Sequence, residues 1–465
     1  MATPRTPRPT ARARRASLTA LAAAACLGCQ TYEARPLDPD GHRAAWHARS
    51  LEGDSLEALR VALEASPEAA EGDIDPTDGI ELSEARRIAR VLNPDLRIAR
   101  LEVQEALAAA ETAGLWSDPQ LQFTVMRITE GIPDPWVLAP GLAFTIPLSD
   151  RLGATRDAAD AGLRAEMWRA HEAEWRLERD LRVAWFDWSE ARVVHEESAR
   201  LVEELAGLEA LCVELVRAGE MSAPEAGLVG LERARRENRL LRLEAERDAA
   251  EQHLRALVGL TPEAPVEFVP AFAAPVVFAE LGIEEDRPPA LRRLREEYDE
   301  AEHELRAAVL GQVPDLSIGP QYERDGGQRR LGLLGWWNVP LWNANRPAIA
   351  RARSRRELAR AAYETEYERL VGRLEASRAR AAGLALQRAE LEAALVPRGD
   401  ALRADAERLV ELGEGGATVL LQALVEARSI RLDLVEARAE EARAVAELLH
   451  LVGPPSAAPA TNSRS

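Results

Sequence analysis

Residues 150–222 read DRLGATRDAADAGLRAEMWRAHEAEWRLERDLRVAWFDWSEARVVHEESARLVEELAGLEALCVELVRAGEMS. No proline interrupts the run from Asp150 to Ala218, and Gly219 is its first break. Apolar residues recur every three or four positions, which predicts one helix of about 69 residues, roughly 100 Å long at 1.5 Å per residue. An ordinary globular domain is not that wide, so the helix belongs to an extended coiled body. A return helix is expected over Ala223–Val258, with Pro224 tolerable in its first turn.

Upstream, Ile88, Val91, Leu92, Leu96, Leu101 and Leu107 keep helical spacing across Ser83–Trp116, with Ser83 as a candidate cap and Asp118-Pro119 as the stop. Residues 120–129 alternate, with Leu121, Phe123 and Val125 on one face and Gln120, Gln122 and Thr124 on the other. That pattern predicts a strand, followed by a turn at Gly131–Pro135 and a second strand over Trp136–Pro147.

The same plan then repeats. Pro119 and Leu121 correspond to Pro314 and Leu316, Pro147 to Pro340, Gly219 to Gly413 and Gly259 to Gly453, all at an offset close to 194 residues. A constant offset across ordered landmarks marks an internal duplication. The second copy is expected as helix 288–311, strand 315–323, a turn at Asp325-Gly326-Gly327, strand 330–341, helix Arg346–Leu412, a break at Gly413–Gly416 and a return helix 417–452.

Lengths constrain how these parts assemble. In each repeat the first helix and the return helix together nearly match the long one, so they are expected end to end beside it, with strands at one end and the glycine turn at the other. Four strands leave open edges, which lipid does not tolerate, and a barrel needs at least about eight. Strands near ten residues with dyad alternation suit a bilayer. The fold class is therefore mainly α with a small β part: duplicated long-helix hairpins forming a coiled-coil α-barrel, and two β-hairpins giving four strands to an oligomeric transmembrane β-barrel. A conducting pore favours three or more copies.

Composition agrees. Charged residues make up 29% and aromatics 5% of the 465 residues, as long coiled helices require. Beyond the N-terminus no run of about 18 apolar residues predicts a spanning helix. A net charge of −19 argues against a nucleic-acid partner. Arginine supplies every basic side chain except histidine.

The expected division is a signal peptide at 1–29, a linker at 30–80, repeats at 81–270 and 285–453 with a linker at 271–284 between them, and a disordered tail at 454–465. The first 15 residues carry Arg5, Arg8, Arg12, Arg14 and Arg15, and an apolar stretch runs from Leu18 to Gly28. Leu27-Gly28-Cys29-Gln30 resembles a bacterial lipobox, making Cys29 the candidate for acylation and Cys26 the alternative. One acyl chain gives marginal anchoring. Cys212 falls on an apolar helical face with Leu208, Leu211 and Leu215 and reads as a core residue.

The layout of residues 83–453 resembles the TolC family of outer-membrane efflux proteins. The words Asn93-Pro94-Asp95-Leu96, Pro314-Asp315-Leu316-Ser317 and Val339-Pro340-Leu341-Trp342-Asn343-Ala344-Asn345-Arg346 carry it, the last being similar to the heavy-metal and cation-efflux branch. The resemblance implies a homotrimeric duct in the bacterial outer membrane, reaching through the periplasm to a membrane-fusion adaptor and an inner-membrane pump. It implies adaptor-docking tips at Gly219, Glu220, Met221 and Ser222 and at Gly413, Glu414, Gly415 and Gly416. Some members carry an acidic ring after the second turn. Here Ala417–Gln422 has no carboxylate, so Thr418 and Gln422 are the gate candidates, with Glu414 or Glu426 as substitutes.

Trp336 and Trp337, in a strand, are expected as membrane-interface aromatics. Arg351, Arg353, Arg355 and Arg356 read as a face paired with acids, or alternatively as a cationic collar. Trp185 and Trp188 read as packing residues. The seven histidines show no paired metal spacing, and no nucleophile elbow, phosphate loop or dinucleotide motif occurs. Neither enzyme chemistry, a metal nor a cofactor is expected. The rival readings are a pore-less periplasmic scaffolding lipoprotein and a duct for type I protein secretion.

Overall fold

The computed structural model describes residues 31–49, 51, 53–64, 74–75, 78–129, 131, 135–272, 287–325 and 327–454. The described residues up to Arg49 form a unit of their own. Its helix α1 (Pro39–His47) is capped by Asp38, whose carboxylate accepts from the Gly41 N–H at 2.9 Å. The second unit holds α2 (Gly53–Glu64), α3 (Leu82–Leu92), α4 (Pro94–Thr112), β1 (Gln120–Arg127), β2 (Trp136–Ile146), α5 (Arg151–Ala218) and α6 (Ala223–Val258). It continues with α7 (Pro289–Leu310), β3 (Leu316–Asp325), β4 (Gln328–Trp337), α8 (Arg346–Glu390), α9 (Val396–Glu411) and α10 (Ala417–Val452). No described helix is long and apolar enough to cross a membrane.

Helix α5 has 68 residues, about 100 Å at 1.5 Å per residue, and α4, α6, α7 and α10 all pack along it. Its face toward α7 buries Ala154, Ala158, Ala161 and Ala165 at alternating steps of four and three, so small side chains let two helices approach closely. Ion pairs flank that seam: Arg164–Glu296 at 2.7 Å, Arg169–Glu297 at 2.9 Å and Arg293–Glu172 at 2.7 Å.

The short helices do stack end to end beside the long ones. Asn93, at the start of α4, donates its Nδ2 to the Leu257 carbonyl at the end of α6, 2.9 Å away. In the second repeat a Cβ added to Gly453, just past α10, would lie 2.7 Å from the Arg287 carbonyl that precedes α7. The paired landmarks Gly259 and Gly453 share a left-handed φ, +85° and +88°. A Cβ on Gly259 would come within 2.5 Å of the Leu92 carbonyl. The duplication thus preserved a close backbone approach that only glycine permits.

Two expected helices are interrupted. The one placed over 83–116 breaks at Asn93, whose ψ of 129° is extended because Pro94 disfavours a helical residue before it. Asn93 then caps α4, its side chain accepting from the Asp95 and Leu96 N–H groups at 2.9 and 3.2 Å. The first cap is Glu81 rather than Ser83: the Glu84 carboxylate accepts from the Glu81 N–H at 2.9 Å. The helix over Arg346–Leu412 contains a π-helical turn at Leu391–Leu395. Pro397 follows it, lacks an N–H for the helical ladder, and the wider turn lets the chain continue.

The expected linker 30–80 contributes to the packed body. Leu51, Leu59 and Leu63 are buried in one core with Ile74, Ile88, Leu96, Trp185, Trp188, Leu254 and Phe268. Ile80 bridges Phe268 in parallel, donating to the Glu267 carbonyl at 2.8 Å. Trp185, Trp188 and Phe268 meet edge to face with centroids 5.5–5.7 Å apart, which makes the two tryptophans packing residues.

Candidate functional site

The four strands form one antiparallel sheet in the order β1-β2-β3-β4, so the two hairpins join through β2 and β3, and β1 and β4 are its edges. The register sorts every side chain onto one of two faces. Leu121, Phe123 and Val125 of β1 oppose Leu142, Pro140 and Leu138 of β2. Phe144 and Ile146 of β2 oppose Ile318 and Leu316 of β3, and Leu316, Pro320 and Tyr322 oppose Trp337, Leu333 and Leu331 of β4. This face is continuously apolar, and Leu121, Phe123, Leu331 and Leu333 are each at least 67% exposed.

The opposite face is mostly polar or small, with Met126, Val137, Leu334 and Trp336 as its large apolar members. Gln122, Gly141, Gln321 and Gly332 lie in one row across all four strands. Thr145 and Ser317 share a hydroxyl contact at 3.1 Å, while Arg330 pairs with Glu323 at 3.2 Å and Asp325 at 3.4 Å. Along β2, Val137, Ala139, Gly141 and Ala143 on this side are buried and their neighbours are more exposed. The sheet thus has one exposed apolar face, one mostly polar face and two unpaired edges, β1 and β4. Sequence alternation showed this clearly only for β1. In β2 to β4, Pro140, Pro320, Gly335 and small residues hide the pattern until the register aligns them.

The register also separates the two expected interface aromatics. Trp337 opposes Leu316 on the apolar face, and Trp336 opposes Ser317 on the polar one. Adjacent strand residues cannot share a face, so only Trp337 of this pair lies on the apolar face. Sequence reading missed Trp136, at the hairpin end of the apolar face, and Trp342, 90% exposed just beyond β4.

At the far end of the helices the two turns come together. Gly219 (φ +79°) and Gly413 (φ +73°) both end their helices in the left-handed conformation. Ser222 starts α6 in a reciprocal capping box with Glu225, and Gly416 starts α10 without a side-chain cap. Met221 packs on a core shared by both hairpins: Leu208, Cys212, Val229, Ala406, Ala417, Leu420, Ala423 and Leu424. Cys212 is fully buried there, and burial, followed by the nearby Glu209, pushes its thiol pKa up. Glu220, Ser222, Glu414 and Gly416 are exposed, and Gly415 is half-buried. Thr418 and Gln422, four residues apart on α10, are both exposed.

A buried ion cluster, not foreseen from sequence, stands above the tips. Arg428 of α10, 4% exposed, bonds Glu197 and Glu204 of α5, the latter at 2.9 Å, and Arg403 of α9 reaches Glu204 at 3.1 Å. In the arginine-rich stretch of α8, Arg355 pairs with Glu304 at 2.7 Å and Arg356 with Glu357 at 2.7 Å, and Arg351, Arg353 and Arg355 are all exposed. Among the described residues no group of three His, Cys, Asp or Glu side chains has metal-binding geometry. Cys26 and Cys29 lie outside the described residues.

Duplicated helical hairpins joined to a four-stranded antiparallel sheet define a TolC-like fold. No protein-family model matches the sequence, and no curated protein matches it. Solved structures share its fold. The outer membrane channel CmeC of Campylobacter jejuni superposes with a TM-score of 0.70 at 13% identity, covering 92% of this chain and 94% of that one. The outer membrane protein VceC of Vibrio cholerae gives 0.68 at 17%, covering 80% and 96%. The MtrE outer membrane channel of Neisseria gonorrhoeae, in its open state, gives 0.64 at 16%, covering 80% and 88%. At these identities what is shared is fold.

Proposed function

We propose that this chain is the outer-membrane subunit of a trimeric efflux duct, passive and without catalysis, which passes small molecules or metal cations delivered by an inner-membrane pump. The observation that carries this reading is the two-faced sheet with open edges at one end of helices about 100 Å long. Three copies supply twelve strands, enough to close a barrel that keeps a water-filled lumen. The solved structures of the same fold, described as outer-membrane channels, support the location.

In this reading the apolar face meets lipid, the face of Gln122, Gln321 and Thr145 lines the pore, and the helices reach through the periplasm. The exposed turns Gly219–Ser222 and Gly413–Gly416 receive the adaptor's helical hairpins, with Thr418 and Gln422 nearest the narrow end. Residues 81–270 and 285–453 are the two repeats, and Cys29, or Cys26, tethers the N-terminus to a leaflet.

The test is single-channel conductance of detergent-extracted protein in planar bilayers, with its mass measured by light scattering. Discrete conductance from a species of three chains is expected. A monomer that never conducts would overturn the duct and favour a pore-less scaffold.

A further inference from the structure

The two repeats bury equivalent positions unequally. Near the tips, residues of α5 and α6 correspond to residues of α9 and α10 at the offset of 194 that separates Gly219 from Gly413. The correspondence holds in the core, where Cys212 and its equivalent Ala406, and Val229 and its equivalent Ala423, are buried together. It fails on two helix faces. Leu208 of α5 is 5% exposed, whereas its equivalent Leu402 of α9 is 48% exposed. Val435 of α10 is 9% exposed, whereas its equivalent Leu241 of α6 is 68% exposed. Arg428 and Ala439 of α10 are likewise buried, and their equivalents Ala234 and Ala245 are exposed.

The difference has one cause: α10 and α5 pack on each other, and α6 and α9 do not. Within the chain α6 lies along α5 and α9 along α10, so each keeps open a face that its equivalent covers. On α6 that face is Gly227, Leu231, Ala234, Asn238, Leu241 and Ala245, at alternating steps of four and three and all exposed. None of the six is charged, although arginines and carboxylates flank them along the helix. An uncharged stripe at that spacing is a coiled-coil seam, which is completed by a second helix. The helix equivalent to α5 is α9, and its matching face is open as well. Contacts in which one face meets a different face of the next copy close into rings. The unpaired edges β1 and β4 offer the same arrangement at the other end of the helices.

We propose that α6 of one copy packs antiparallel on α9 of the next, in the register by which α10 packs on α5. Within the chain Arg428 bonds Glu204 at 2.9 Å. The equivalent residues, Ala234 and Arg398, then face each other across the contact between copies, and the α6 stripe covers Leu402. The inference rests on the oligomeric duct reading and names the surface that joins its subunits.

The experiment uses the full-length protein in neutral detergent, with mass from light scattering and covalent links read on denaturing gels. Ala234→Cys combined with Arg398→Cys and treated with a short bismaleimide is expected to give two- and three-chain bands and nothing larger. Either change alone should give none, which controls for the native cysteines. Ala234→Arg sets like charges face to face and should weaken assembly by up to about fivefold per contact. Adding Arg398→Glu should restore it, because the pair is then opposite in sign.

An assembly of three chains that does not link, links confined to single chains, or an Ala234→Arg variant that assembles like the parent would each overturn the proposal. So would a loss that Arg398→Glu fails to restore. Conductance separates the two readings. Linked three-chain protein that never conducts would sink the duct and leave the seam standing, whereas conducting protein without links would keep the duct and remove the seam. Protein that stays monomeric would overturn both.

Discussion

Gly319 is where the two hairpins touch most closely. A Cβ there would lie 1.7 Å from the Leu142 carbonyl oxygen, which belongs to the backbone of the neighbouring strand and cannot rotate away. Gly319→Ala must therefore part β2 from β3, the only junction between the repeats within the sheet. Its expected result is loss of the assembled oligomer on non-denaturing gels, with helix content by circular dichroism nearly intact. His450 offers a second test at this scale. Its side chain stacks near Trp175, and burial, then the neighbouring Arg179, push its pKa below the ordinary histidine value; Glu447 and Asp180 oppose this. The unfolded chain thus binds a proton that the folded one resists, so stability falls as pH drops below about 6.5 and levels off once the folded-state pKa is passed. Unfolding midpoints from pH 8 to 5 should show a decline that His450→Gln flattens.

Between elements, small side chains and arginine pairs add to the apolar core built around Trp185, Trp188 and Phe268. The Arg428 cluster ties α10 to α5 and, through Glu204 and Arg403, to α9. Removing one partner of a buried pair leaves a stranded charge, at a cost of about 3–5 kcal/mol. Glu197 keeps Arg200 and Glu204 keeps Arg403. Arg428→Ala should therefore lower the unfolding free energy, read by chemical denaturation, by at most about that much, and adding Glu197→Gln with Glu204→Gln should recover part of it. If the single variant is as stable as the parent, the cluster is not a tie between hairpins. The Leu391–Leu395 turn belongs to this scale as well. Pro397 was visible in the sequence, but whether a proline kinks, ends or merely widens a helix depends on what packs against it. Here Leu391, Leu434 and Ala437 form a small core that holds the two sides in line.

For the whole molecule the faces of the sheet decide how it sits. Phe123, midway along the apolar side of β1, and its neighbour Gln122, on the polar side, make a paired test. On the proposed duct reading, Phe123→Arg places a charge at mid-membrane depth and should destabilise the inserted barrel by about 2–4 kcal/mol per chain. Its readout is the midpoint of urea unfolding from vesicles. Gln122→Arg should insert normally and shift ion selectivity toward anions, read as a reversal potential in a salt gradient. Equal effects of the two changes would mean that the sheet is not a membrane wall.

The sequence alone determined the duplication, the long helices and the existence of two hairpins. Each is written in local signals: a proline-free run from Asp150 to Ala218, glycines at a fixed offset, alternation in residues 120–129. It also placed Cys212, Trp185 and Trp188 in the core, because helical spacing fixes a face without reference to distant residues. Only the tertiary structure decided which strand residues share a face. Register depends on where two strands separated by nearly 170 residues of chain meet, and no local pattern encodes that. The same limit hid the split of Trp336 from Trp337 and the burial of Leu51, Leu59 and Leu63 beneath an expected linker. Each requires knowing what lies alongside, and a linear chain reports only what comes next.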